Sequence, residues 1–186
     1  MSAEVQSSGV DHILRQIMEG TASETGEAFF QALVRSLAGA LGGRYAFVSE
    51  FVPGATARVR TLAFWGGDDF LENVEYDLQD TPCEQVLQGE VCLYPKNIQT
   101  LFPKERALVD MGAQSYLAVP LANRTGDVLG HLAAIDVAPM EGSPQDFALF
   151  HIFGARASLR RTRSSARRRS SSAAALAISS TRPARP

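Results

Sequence analysis

The hydrophobic period of this chain changes at Gly42 and Gly43, and that change limits the fold more than any other feature. Upstream, Thr25–Leu41 carries Phe30, Leu33, Val34, Leu37 and Leu41 at helical spacing, which gives one apolar helix face. The glycine pair ends that helix, because glycine takes the left-handed conformation that closes helices. Downstream, RYAFVSEFV (Arg44–Val52) alternates around Tyr45, Phe47, Ser49 and Phe51 and is rich in strand formers. A one-faced helix joined directly to such a strand implies a helix layer stacked on a sheet.

The rest of the chain continues that alternation of elements. PGAT reads as a turn and Ala57–Trp65 as the return strand of a hairpin; Asn73–Leu78 is a third short strand. Thr81 is placed as an N-cap, with Pro82 at the first helical position and Glu84 completing a capping box, so Thr81–Gly89 reads as a short helix. Glu90–Pro95 is a strand, and residues 97–112 form a loop followed by a helical turn or two. Ser115–Asn123 and Val128–Ala138 make a second hairpin. Ser143, Pro144 and Asp146 repeat the cap device and start a final helix from Gln145 to about Arg163. A shorter helix is expected around Ile13, Leu14, Ile17 and Met18. The sum is an α+β layout with a largely antiparallel sheet flanked by helices.

The length of 186 residues suits one domain of common size. No run approaches eighteen apolar residues, so no membrane span is expected. MSAEVQSSGVDH has no basic start and no apolar h-region, so it is not read as a secretory signal. With only two cysteines, Cys83 and Cys92, this points to a reducing cytoplasmic setting. Charge is segregated. Residues 1–155 hold nine basic and twenty acidic side chains, a net of −11, while residues 156–186 hold nine arginines and no acid. An acidic body disfavours nucleic acid as a partner. The basic tail is the one hint in its favour, and low complexity reads more simply as disorder or an altered reading frame.

Several words of the sequence are familiar: DTPCEQV, YPKNIQTLFP, GAQSYLAVPL, TGDVLGHLAAID and APM. Together they resemble the GAF domains of bacterial sensor kinases, cyclases and the formate-hydrogenlyase activator, with SYLAVPL followed by TGDVLGHL the most specific part. The resemblance covers residues 11–163, leaving residues 1–10 and 164–186 as disordered ends. It implies a PAS-related architecture with a six-stranded antiparallel sheet. The first, second and last helices would pack on one face, and loops and short helices on the other would enclose a small-molecule pocket. It also implies a homodimer joined through terminal helices, for which Ile13, Ile17, Leu149, Ile152 and Phe153 are candidate contacts.

The chemistry divides three ways. Two cysteines with histidines only at 12, 131 and 151 do not make a zinc pattern, so no metal is expected. One GAF branch reduces free methionine sulfoxide with cysteines of this region plus another before the VPL strand. Here Asn97–Tyr116 contains no cysteine, although the first turn of a helix would lower the pKa of Cys83. The plainer reading makes both thiols small, soft residues of a pocket wall. Light-sensing relatives attach a bilin to a cysteine on the helix that here reads PKERALVDMG, so no covalent bilin is expected. The Asn-Lys-Phe-Asp-Glu set of cyclic-nucleotide relatives is absent, and the ligand remains unnamed.

Alternation puts His131, Ala133 and Ile135 on one face of the last strand, and a histidine suits the pocket side. The candidate pocket set is therefore Phe47, Ser49, Trp65, Thr81, Cys83, Cys92, Tyr94, Phe102, Tyr116 and His131, though each of these also suits an ordinary core position. Motifs of nucleotide hydrolases, zinc proteases, serine hydrolases and kinases are missing from the sequence. The leading expectation is a non-catalytic sensory domain that binds a small molecule, with a ligand-free dimerisation scaffold and a thiol reductase as rivals.

Overall fold

The computed structural model describes residues 26–55 and 57–159. The expected helix at Ile13–Met18, the dimer candidates Ile13 and Ile17, and both expected disordered ends lie outside them.

Helix α1 (Glu27–Leu41) buries Phe29, Phe30, Leu33, Val34, Leu37 and Ala38, and Gly42 closes it in the left-handed conformation with φ 65°. Six strands follow among the described residues: β1 (Tyr45–Phe51), β2 (Arg58–Trp65), β3 (Glu75–Asp77), β4 (Cys92–Tyr94), β5 (Ser115–Ala122) and β6 (Val128–Asp136). They form one antiparallel sheet in the order β3-β2-β1-β6-β5-β4. The first and last strands are thus neighbours at its centre. A 3-10 turn (Gln85–Gln88) and two short helices, α2 (Ile98–Leu101) and α3 (Arg106–Asp110), lie between β3 and β5 in sequence. A closing helix, α4, is described over residues 144–159.

Each face of the sheet carries its own apolar layer. On one, α1 and the closing helix cover Ala46, Val48, Leu117, Val119, Leu132 and Ala134. On the other, Phe47, Tyr116, Ala118, Ala133 and Ile135 meet Leu78, Cys83, Val86, Ile98 and Leu108 from the connecting segments. The alternation expected for His131, Ala133 and Ile135 is the one observed.

Two local expectations are corrected. Thr81 does not cap a helix: its hydroxyl donates to Leu78 O at 2.7 Å, and Glu84 reaches back to Asp80 N instead. The segment after it narrows to four residues of 3-10 helix. The second cap forms as expected, with Asp146 N donating to Ser143 Oγ at 3.2 Å and Ser143 N donating to Asp146 Oδ2 at 2.8 Å. Leu149 and Phe153, expected at a dimer contact, belong to the core under α1, since the closing helix needs both to cover the sheet; Ile152 is half-buried.

Candidate functional site

Beneath the sheet face opposite α1 lies a cavity of about 140 Å³. The sheet supplies Phe47, Thr61, Phe64, Tyr116 and Ile135. The edge strand β3 and the residues flanking it supply Val74, Tyr76, Thr81, Pro82 and Cys83, and α3 with its flanks supplies Glu105, Ala107, Leu108 and Met111. Four of these residues carry phenyl or phenol rings. Phe47 and Phe64 sit 5.2 Å apart at their centroids on neighbouring strands.

A β-bulge decides which aromatic residue of β2 enters the cavity. The β1–β2 register shifts between Val48 and Ser49, which pair with Ala63 and Thr61, so Leu62 is the extra residue. Unbroken alternation from Val59 and Thr61 would bring Trp65 to the cavity. The bulge reverses the phase, so Phe64 lines it and Trp65 packs at the opposite layer against Phe70. The pocket assignment of Trp65 is corrected on that ground.

Below the cavity the polar side chains form one connected chain. Tyr116 Oη donates to Cys83 Sγ at 2.9 Å, and Cys83 Sγ lies 3.7 Å from Tyr76 Oη. Tyr76 Oη is 3.3 Å from His131 Nε2, and His131 Nδ1 is 2.7 Å from Ser49 Oγ. Ser49 Oγ in turn donates to the carbonyl of His131 at 3.5 Å. Burial pushes the His131 imidazole down to about 3, so it is neutral at physiological pH. One direction then satisfies every member: Tyr116 donates to Cys83, Cys83 to Tyr76, Tyr76 to His131 Nε2, and His131 Nδ1–H to Ser49. Burial pushes the Cys83 thiol up to about 11, against the hydrogen bonds of Tyr116, Tyr76 and Thr81, and the Glu105 carboxylate adds to the rise. The lowered thiol pKa expected from a helix N-terminus is thereby overturned: Cys83 sits in a turn, without a helix long enough to lower it.

The remaining candidates sit behind the cavity. Ser49 and His131 are buried and do not line the cavity; His131 contacts the lining residue Tyr76 through Nε2. Tyr94 stands opposite Tyr116 across β4 and β5, its ring 5.1 Å from that of Phe102, and its hydroxyl donates to Gln85 Oε1 at 3.3 Å. Cys92 is buried beside the same glutamine, and burial followed by the nearby Glu90 carboxylate raises its pKa. Cys92, Tyr94 and Phe102 do not line the cavity; Tyr94 packs 6.2 Å from the ring of Tyr116, which does. Phe47, Thr81, Cys83 and Tyr116 are the candidates that do line it. The sequence reading missed Thr61, Phe64, Val74, Tyr76, Pro82, Ile135 and the Glu105–Met111 segment. Tyr76 was visible as the inward position of its short strand, whereas the Glu105 helix start carries no hydrophobic periodicity long enough to place it.

Among the described residues no group of three or more His, Cys, Asp or Glu side chains could hold a metal ion. No helix among them is long and apolar enough to cross a membrane.

The architecture is a small antiparallel sheet with long helices on one face and an aromatic cavity under connecting segments on the other. The GAF domain family model matches residues 25–160, and the chain belongs to that family. Its members commonly serve as sensory or regulatory domains that bind small molecules. No curated protein matches the chain in sequence. Among solved structures, the GAF domain of a phosphoenolpyruvate-protein phosphotransferase from Acinetobacter is similar with TM-score 0.68 and 18% identity, over 86% of this chain and 96% of that one. The chromophore-binding domain of phytochrome P1 from Stigmatella aurantiaca is similar with TM-score 0.62 and 16% identity, over 79% of this chain and 58% of that one. A third similar fold is the chromophore-binding domain of a bacteriophytochrome from R. palustris, with TM-score 0.62 and 12% identity, over 85% of this chain and 61% of that one. At these identities the likeness is one of fold.

Proposed function

We propose that this chain is a non-catalytic sensory or regulatory domain that binds a small molecule in the cavity beneath β1, β2 and β5. In this reading it works as a cytoplasmic homodimer and passes occupancy on through its terminal helices. The observation that carries the reading is the cavity itself, about 140 Å³, walled by aromatic rings and by the segments between β3 and β5. A ligand that binds one arrangement of those segments better than another shifts the population of the two, which is the physical requirement for a sensor.

The two rivals draw less support. A scaffold without a ligand would have a filled cavity, and two of its expected contacts are used up in the core. A thiol reductase needs a thiolate, and the one thiol at the cavity is held protonated. Equilibrium dialysis of the full chain against a bacterial metabolite extract, read by mass spectrometry, tests the proposal. A compound retained by the wild type and lost in Ala107→Trp, which fills the cavity from an exposed rim position, supports it. Equal retention by both proteins, or none by either, counts against it.

A further inference from the structure

The polar groups around the cavity are almost all used within the protein. Thr61 Oγ1 donates to Asn73 Oδ1 at 3.0 Å and accepts from Val74 N at 2.9 Å. Thr81 Oγ1 donates to Leu78 O at 2.7 Å. Tyr116 spends its proton on Cys83, and Tyr76 is held between Cys83 and His131. None of the lining residues is a lysine or an arginine. The single formal charge on the wall is Glu105, half-buried at the start of α3, where Oε1 accepts from Ala107 N at 3.2 Å.

Resting on the reading of this cavity as a binding site, we propose that it selects uncharged or cationic aromatic compounds and rejects carboxylates and phosphates of the same size. An anion entering here leaves its water, meets no lysine or arginine and no unspent side-chain hydroxyl, and faces the Glu105 carboxylate, so its desolvation is poorly compensated. A neutral ring stacks on Phe47, Phe64, Tyr76 and Tyr116 without needing a hydrogen bond. A cation on that ring, placed at the mouth, meets both Glu105 and the faces of the aromatic side chains. Burial is the main cause of the raised Cys83 and Tyr76 pKa values, and the Glu105 carboxylate adds the smallest part of each rise. The volume suits a one-ring compound, since an apolar cavity of about 150 Å³ accommodates benzene.

The test is a methyl-resolved NMR titration of the full chain with benzylamine, benzyl alcohol and benzoate, which share one ring and differ in charge. Benzylamine and benzyl alcohol should shift the methyl signals of Thr61, Thr81, Leu108 and Met111. Benzylamine should bind at least about tenfold more tightly than benzoate, a difference one well-placed charge can supply. In Glu105→Gln, which keeps the oxygen that caps α3, that gap should shrink several-fold. Benzoate binding as tightly as benzylamine would overturn the charge selection while leaving the cavity as a binding site. An unchanged gap in Glu105→Gln would overturn the part given to Glu105. If none of the three shifts the cavity methyls, the binding reading fails and the selection fails with it.

Discussion

Ser49 and His131 face each other in register across the two central strands, with Oγ and Nδ1 2.7 Å apart and both side chains buried. The imidazole is held neutral there, with its pKa lowered from 6.5 to about 3 by burial. Between those two values the unfolded chain takes up a proton that the folded chain does not, so stability falls as pH falls through that window. Denaturant unfolding should therefore give a stability lower by about 2 kcal/mol at pH 5 than at pH 7.5 from this group alone. The loss is largest near the folded value and absent above pH 7. His131→Gln, which does not titrate, should lack that component, and an unchanged slope would contradict it.

Gly130 precedes that histidine and pairs with Glu50 across the same two strands. A Cβ at Gly130 would overlap Ser49 O and stand 2.8 Å from Glu50 Cα, both backbone atoms that cannot turn aside. Gly130→Ala should destabilise the fold by at least about 2 kcal/mol, because the central β1–β6 pair must separate to admit a methyl group. The midpoint of urea unfolding measures it. A midpoint unchanged from wild type would show that the two strands are less tightly held than the geometry requires.

Cys83 should be chemically quiet. A thiol at about 11 instead of 9.0 has roughly a hundredfold less thiolate at neutral pH, before burial adds its own protection. Iodoacetamide followed by peptide mass spectrometry should label Cys83 in the native chain far more slowly than in urea. Cys92, also buried and raised, should lag as well. Fast labelling of native Cys83 would revive the thiol-reductase reading.

Phe64 and Trp65 should separate binding from stability. Phe64→Leu removes a ring from the cavity wall and should weaken an aromatic ligand several-fold, with a stability loss of about 1 kcal/mol. Trp65→Leu acts on the layer shared with Phe70 and should leave ligand affinity unchanged. Calorimetric titration with benzylamine reads both. The reverse result would place the bulge elsewhere.

That pair also marks the limit of what the residues alone disclosed. The helix at Glu27–Leu41 and the strands beginning at Tyr45, Arg58, Ser115 and Val128 follow from periodicity, because one buried face fixes the pattern. The placement of His131 with Ala133 and Ile135 follows from the same rule. The bulge at Leu62 does not, since nothing in RVRTLAFW marks the residue at which alternation reverses. The Thr81 cap failed because a hydroxyl can donate to a preceding carbonyl as readily as it accepts from a following amide. Glu105 and its neighbours stayed hidden because a five-residue helix is placed by tertiary contact, not by its own pattern.

The most direct measurement is a native mass spectrum of the full chain, purified gently and without denaturant. The account predicts a mass excess over the bare chain that disappears on denaturation and is absent from Ala107→Trp. A spectrum of bare chain alone, unchanged after incubation with benzylamine and benzyl alcohol, would contradict the claim that the cavity beneath Phe47 and Tyr116 is a ligand site.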